Sequence, residues 1–186
     1  MTTIDHGRTS IATALRKLYF ARFGFAIVWA VLFGITATTL NPASIALLVL
    51  YPVVDLITAV IDFRASRAEK PAPALYVNMA LSLLAAIGLA VAVTSGTSAA
   101  LVVWGVWAIT AGAVQLIVAL TRRALGGQWP MILSGGLSVL AGTAFTLQGI
   151  LPDGNIVGLA GYAALGGIFF LISALRLGRA AKGGQR

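Results

Sequence analysis

Residues 99–121 read AALVVWGVWAITAGAVQLIVALT and contain no charged side chain. An α-helix of this length is about 34 Å long at 1.5 Å per residue, which is enough to cross the hydrocarbon core of a bilayer. The rest of the chain has the same character, because 59% of its 186 residues are hydrophobic, 10% are charged and the mean hydropathy is +0.96. Soluble domains carry about a quarter charged residues. The composition therefore excludes an ordinary soluble globule and predicts a membrane protein that crosses the bilayer several times.

Apolar stretches long enough to span a bilayer recur along the chain. They cover residues 18–40, 44–62, 74–95, 99–121, 131–151 and 156–175. Three of the segments between them lack Lys and Arg, and all 13 basic residues lie toward the two ends of the chain or in the remaining connections. Because cytoplasmic loops are enriched in Lys and Arg, the sequence predicts an all-α membrane protein with six transmembrane helices and with its N and C termini in the cytoplasm.

The net charge of +8 follows from this topology. Basic residues gathered on one face of a membrane attract anionic lipid headgroups, so the expected partner is the cytoplasmic lipid surface and not nucleic acid. Cysteine is absent, and one histidine and five acidic residues remain. The chain therefore has no thiol for disulfides or thiolate chemistry, and it lacks the cysteine and histidine ligands of a zinc site. No set of catalytic residues can be assembled within one leaflet. Neither an enzyme, a metal site nor a cofactor is expected.

An internal repeat divides the membrane domain. Gly34, Gly88 and Gly142 are 54 residues apart, and Gly112 and Gly166 share the same offset. Small residues let helices approach closely in lipid, so these five glycines are predicted packing positions, within the chain or between copies of it. The predicted organisation is a cytoplasmic tail, a membrane domain of three tandem helical hairpins of about 54 residues, and a basic cytoplasmic tail. Their bounds are 1–17 for the first tail, 18–179 for the domain, 18–64, 74–123 and 129–176 for the hairpins, and 180–186 for the second tail.

The glycine, tryptophan and arginine spacing of the later spans resembles that of a known family. The matching residues are Gly105, Trp107, Gly112, Gln115, Arg122, Arg123, Trp129, Ser134, Gly135, Gly142, Gly158, Gly161, Tyr162, Gly166 and Arg176. They resemble the short-repeat membrane family called domain of unknown function 308, which includes the HdeD-like acid-resistance membrane proteins. The resemblance implies a multi-pass protein of the bacterial inner (plasma) membrane with six spans, in a family where one branch protects cells against acid. The first hairpin departs from the pattern, with Tyr51, Pro52 and Asp55 where later copies carry glycines.

Asp55 is the unusual residue, because it lies near the middle of the second apolar stretch. A charge at that depth costs about 2.5 to 3.5 kcal/mol, so it is expected to face the interior and to find a partner or take up a proton. Tyr51, Asp55, Thr58 and Asp62 follow spacings of four, three and four, which places them on one helical face. Pro52 within the same helix is expected to kink or loosen one turn.

Possible partners of Asp55 lie on the neighbouring spans. Arg22 is the nearest cation. If the first two spans run antiparallel, however, residue counting places Trp29 at the depth of Asp55, and Trp29 is seven residues from Arg22. The expectation is therefore a water-mediated or indirect link and not a direct ion pair. Asn78 and Gln115 are predicted to complete a polar cluster at this level.

Two interpretations of Asp55 stay open. It is either a structural polar residue, or a protonatable or cation-binding group for transport or pH sensing. The corresponding functions are a non-enzymatic stress-response, acid-resistance or envelope-maintenance protein, and a small proton-coupled transporter or channel that uses Asp55. The transported species, the oligomeric state and the physiological trigger are not encoded in any motif of the sequence.

Overall fold

The computed structural model describes residues 2–65, 73–121, 129–151 and 154–183. Within these ranges all helices are α-helical except a short 3₁₀ turn at Val93–Ser95, and the described residues form no strand. The helices are α1 (Thr2–Thr36), α2 (Pro42–Ala65), α3 (Pro73–Ala92), α4 (Thr97–Thr121), α5 (Trp129–Ile150) and α6 (Gly158–Gly183). All six are long and apolar enough to cross a membrane, which confirms the predicted number and type of elements.

The helices are longer at both ends of the chain than the sequence pattern suggests. Residues 2–17, predicted as a tail, continue α1 without a break, and α6 runs on to Gly183. The predicted basic pair Arg122 and Arg123 lies outside the described residues. The ends of α1, α2 and α6 that carry Arg16, Arg64 and Arg176 lie together, and we call this side of the bundle the basic end.

Local chemistry explains where the helices start on the opposite side. The Asn41 side-chain oxygen accepts hydrogen bonds from the backbone N–H groups of Ala43 and Ser44, at 3.0 and 3.1 Å, and Pro42 occupies the first turn. This is the usual arrangement of an N-cap followed by proline, which has no N–H to leave unpaired. Gly96 has φ +98°, a conformation that favours glycine, and it makes the sharp turn between α3 and α4.

The six helices form a closed antiparallel bundle. Each helix packs against the next in sequence, and α1 also packs along α6, so the chain closes into a ring. The most extensive contacts join α4 to α5 and α1 to α6, whereas α5 and α6 touch over a short distance. The largest interfaces thus run between the predicted hairpins and not within them, and the three-hairpin repeat itself stays a prediction.

Glycines let α4 and α5 approach backbone to backbone. A Cβ on Gly142 would lie 2.6 Å from the Gly105 carbonyl oxygen, and one on Gly112 would lie 2.8 Å from that of Gly135. Two of the five predicted packing glycines, Gly112 and Gly142, therefore stand at this interface. The sequence pattern missed Gly105, Gly135 and Gly149, which lie there too.

The other three predicted packing glycines lie elsewhere and are less crowded. A Cβ on Gly88 would lie 3.1 Å from Val103 of α4, and one on Gly34 would lie 3.7 Å from Ala160 of α6. On Gly166 the nearest atom would be the Tyr51 hydroxyl oxygen at 4.0 Å. Close helix contact therefore requires glycine at Gly112 and Gly142 but not at Gly34 or Gly166.

Two adjacent glycines of α5 test this packing. A Cβ on Gly135 would lie 2.9 Å from the Gly112 carbonyl oxygen, whereas one on Gly136 meets nothing within 4 Å. We expect Gly135→Ala to lower the free energy of unfolding by about 1 to 3 kcal/mol, because backbone must shift. Gly136→Ala should leave it unchanged or raise it by up to about 1 kcal/mol through helix propensity. Unfolding in mixed micelles measures both, and equal values for the two variants would contradict the packing.

Candidate functional site

The carboxylate of Asp55 joins three helices. Its Oδ1 accepts a hydrogen bond from Nη2 of Arg22 on α1, and the two side chains form an ion pair. Its Oδ2 accepts from the Ser82 hydroxyl at 2.7 Å and from the Asn78 side-chain amide at 3.1 Å, both on α3. Both carboxylate oxygens are thus occupied, and the charge is neutralised by a cation with only 15% of its side chain exposed. We call Arg22, Asp55, Asn78 and Ser82 the charge-pair network.

The direct contact between Arg22 and Asp55 corrects the expected indirect link. In the structure Trp29 lies beside Leu47 and Tyr51, because its indole N–H donates to the Leu47 carbonyl at 2.7 Å and its ring lies 4.8 Å from that of Tyr51. Residue counting along the sequence instead predicts Trp29 at the level of Asp55. The first predicted span extends to residue 40, but α1 ends at Thr36. The residues of α1 and α2 that lie side by side are therefore shifted by more than one helical turn from the prediction. Arg22 is therefore level with Asp55.

An aromatic ring on α6 holds the other side of Arg22. The Arg22 guanidinium carbon lies 4.4 Å from the centre of the Phe170 ring, within the range of a cation–π interaction. Tyr19 stacks on the same ring with its centre at 6.1 Å. Arg22 thus lies between a carboxylate on α2 and an aromatic face on α6, so one side chain links α1 to both helices.

The residues of the predicted polar face of α2 have different interaction partners. Thr58 donates to the backbone carbonyl of Asp55 at 2.9 Å and does not bind the carboxylate. Asp62 lies further toward the basic end, within electrostatic range of Tyr19. Gln115 is not part of the cluster, because its amide donates to the Met131 carbonyl at 3.2 Å and joins α4 to α5.

Sequence reasoning missed two residues of the site, Ser82 and Phe170. Ser82 is four residues after Asn78 and therefore lies on the same face of α3, so helical spacing was a usable signal. Phe170 offered no such signal, since it touches Arg22 only because α6 packs along α1.

An aromatic layer lies next to the charge-pair network, farther from the basic end. Trp29, Phe33, Tyr51, Trp104 and Trp107 come from α1, α2 and α4, with neighbouring ring centres 4.5 to 6.1 Å apart. Trp29, Phe33 and Trp104 are at most 1% exposed. Among the described residues, the buried indole nitrogens of Trp104 and Trp107 have no hydrogen-bond acceptor. These rings are part of the hydrophobic core of the bundle.

A cavity of about 180 Å³ lies on the far side of this layer. It is lined by the end of α1, the start of α4 and the connection to α6, including Thr39, Thr97 and Asn155. Along α1 the order is therefore cavity, aromatic layer and Arg22. The aromatic layer separates this cavity from the Asp55 carboxylate.

A double-mutant cycle tests the charge pair. Asp55→Asn leaves a partly buried cation without its counter-charge, and we expect a loss of about 3 kcal/mol in the free energy of unfolding. Arg22→Gln should cost a similar amount, while the double variant should lose less than the two losses added together. The exposed Arg16 of the same helix provides the control, since Arg16→Gln is expected to change stability by less than about 0.5 kcal/mol. Strictly additive losses would show that the two charges do not interact.

The chain was compared with protein-family models, with curated proteins and with solved structures, and none of these comparisons finds a match. The resemblance to the HdeD-like proteins therefore rests on the spacing of glycines, tryptophans and arginines alone.

Proposed function

We propose that this chain is a non-enzymatic multi-pass protein of a bacterial inner membrane, of the stress-response, acid-resistance or envelope-maintenance kind. It acts through association with lipid, with further copies of itself or with other membrane proteins. In this proposal the charge-pair network holds the bundle together and does not react with a substrate.

This proposal rests on the observation that both oxygens of the Asp55 carboxylate already accept hydrogen bonds from other side chains. Arg22, Ser82 and Asn78 together occupy both carboxylate oxygens, and they belong to helices on either side of α2. A carboxylate so bound favours a role in joining helices over a role in binding a solute. Large apolar side chains on the outer surface support action through association. Among them, Ile35, Leu140 and Ile150 are 70, 69 and 69% exposed. Such a surface suits lipid and apolar protein partners.

The proposed orientation places the basic end in the cytoplasm. Both chain termini then lie in the cytoplasm, and Arg16, Arg64 and Arg179, all exposed, meet the anionic headgroups of the inner leaflet. Trp129, which is 52% exposed beside Arg176, suits an anchoring position at the boundary between lipid and water.

An acid-survival experiment tests this function. Deleting the gene in its host is expected to lower survival after acid challenge, and the native chain should restore it. The Arg22→Gln, Asp55→Asn double variant removes both charges together, so it should restore survival wherever it reaches the native level in the membrane. An unrelated six-span protein expressed to the same level is the control. Unchanged survival of the deletion strain would reject the acid-resistance role.

A second candidate function is a pathway for protons or a small cation through Asp55. The observation that favours it is a charged pair inside the bundle with 15 and 19% of its two side chains exposed, and the aromatic layer between this pair and the cavity would have to open for a proton to pass. Ionisable residues inside a membrane often mark such pathways. Pro52, one turn before Asp55, removes a backbone hydrogen bond where α2 would have to bend.

Proton flux into vesicles distinguishes the two candidates. Native protein is reconstituted beside Asp55→Asn at matched density, and a pH gradient is imposed. If Asp55 carries protons, the native flux exceeds that of empty vesicles and Asp55→Asn abolishes it, because the amide cannot take up a proton. If native protein leaks no more than lipid alone, the pathway is rejected and the structural role of the pair stands.

A further inference from the structure

We infer that Arg176 and Arg179 of α6 bind the phosphate of one anionic phospholipid, whose acyl chain lies along an apolar face of α5. The site is at the basic end of the bundle, beside Trp129. This inference rests on the proposed association with lipid, and it names the class of lipid and the residues that recognise it. It does not depend on the acid-resistance role.

Arg176 receives no counter-charge from its two helices. Its guanidinium carbon lies 5.7 Å from the centre of the Trp129 ring of α5. Its Nη1 atom is buried and has no hydrogen-bond acceptor among the described residues. The sequences of α5 and α6 contain no acidic residue, so neither helix supplies a carboxylate. Because a guanidinium keeps its positive charge, Arg176 remains available to an external anion.

The rest of the Arg176 guanidinium is open to such an anion. The side chain is half-buried, and its Nε and Nη2 atoms, unlike Nη1, are not enclosed by the protein. Arg179 is three residues later on the same face of α6, and its side chain is exposed. Two N–H groups of one guanidinium match two oxygens of a phosphate, and a second arginine adds charge. The two arginines therefore suit a phosphate group.

Both arginines stand where the membrane-spanning part of the bundle ends. The span of α6 ends at Arg176, and the span of α5 begins at Trp129. Trp129 is exposed, and exposed indole rings prefer the headgroup region of a bilayer. Phospholipid phosphates belong to the same region. The phosphate of a lipid is thus at the right depth to meet Arg176.

An apolar face leads from Trp129 into the membrane. Trp129, Leu133, Leu137 and Leu140 follow spacings of four, four and three, which places them on one face of α5. All four side chains are exposed on the outer surface. A lipid with its phosphate at Arg176 can lay an acyl chain along this face. A free phosphate ion lacks that contact, so the occupant we assign is a phospholipid.

Quenching of tryptophan fluorescence in vesicles tests the site, because Trp129 is exposed whereas Trp29, Trp104 and Trp107 are buried. Native protein is reconstituted with increasing fractions of phosphatidylglycerol that is brominated on its acyl chains near the headgroup. Brominated phosphatidylcholine is used in parallel. We expect half-maximal quenching at an at least about fivefold lower fraction of the anionic lipid, as one arginine–headgroup interaction produces. Trp129→Phe should remove this quenching, which assigns the signal to Trp129.

Substitutions at the basic end separate a site from diffuse attraction. Arg176→Gln should remove the preference for anionic lipid, and Arg176→Lys should keep only part of it, because an ammonium group lacks the planar fork. Arg64→Gln is the matched control, since it removes the same charge from the same end. Arg64 is on α2, which packs against α1 and α3, so its variant should preserve the preference. Arg179→Gln, at an exposed position, should weaken the preference even if the Arg176 variants do not fold.

Equal quenching by the two brominated lipids would overturn the site. An equal loss of preference in Arg176→Gln and Arg64→Gln would overturn it too, because that result indicates diffuse attraction to the whole basic end. The acid-survival experiment fails or succeeds separately. A deletion strain with unchanged survival would leave the lipid preference in vesicles standing, and absence of the preference would leave the survival result standing.

Discussion

The attraction between Arg22 and Asp55 is the constraint on which the arrangement of the helices depends. Either charge alone within a membrane would cost about 2.5 to 3.5 kcal/mol, so each requires the other. Their contact holds α1 against α2 in the register that the end of α1 at Thr36 permits, and the hydrogen bonds from Asn78 and Ser82 attach α3. Because Arg22 also lies against Phe170, α6 is drawn to the same point. One ion pair thereby orients four of the six helices.

The remaining contacts depend on close approach of backbones. Between helices in lipid, burial of apolar surface supplies no net driving force, so van der Waals contact must hold them together. Gly105, Gly112, Gly135 and Gly142 bring α4 and α5 close enough for this, and bulkier side chains would meet backbone atoms of the partner helix. Between α5 and α6 no glycine of the described residues brings backbone so close to backbone, and these two helices share a much smaller interface. The extent of each interface therefore follows how closely its backbones can approach.

Much of the site could be predicted from helical spacing. Asp55 and its approximate depth came from the length of one apolar stretch, and Asn78 came from its place near the start of the next span. The error about Arg22 arose because the register between two helices depends on where the first one stops, and α1 stops at Thr36. The assignment of Gln115 failed for a related reason: its side chain turns toward Met131 on α5, and single-helix periodicity does not reveal which neighbour a face meets.

The sequence by itself determined that the chain is helical, that six helices can cross a membrane, and where most of them begin and end. These properties are local, since they follow from the length of apolar stretches, from Pro42 and Asn41 at one helix start, and from Gly96 at a turn. Only the tertiary structure decided that α1 closes the ring against α6, that Arg22 reaches Asp55 directly, and that Tyr51 faces Gly166. These contacts join residues far apart in the chain, and which faces meet depends on the packing of all six helices together.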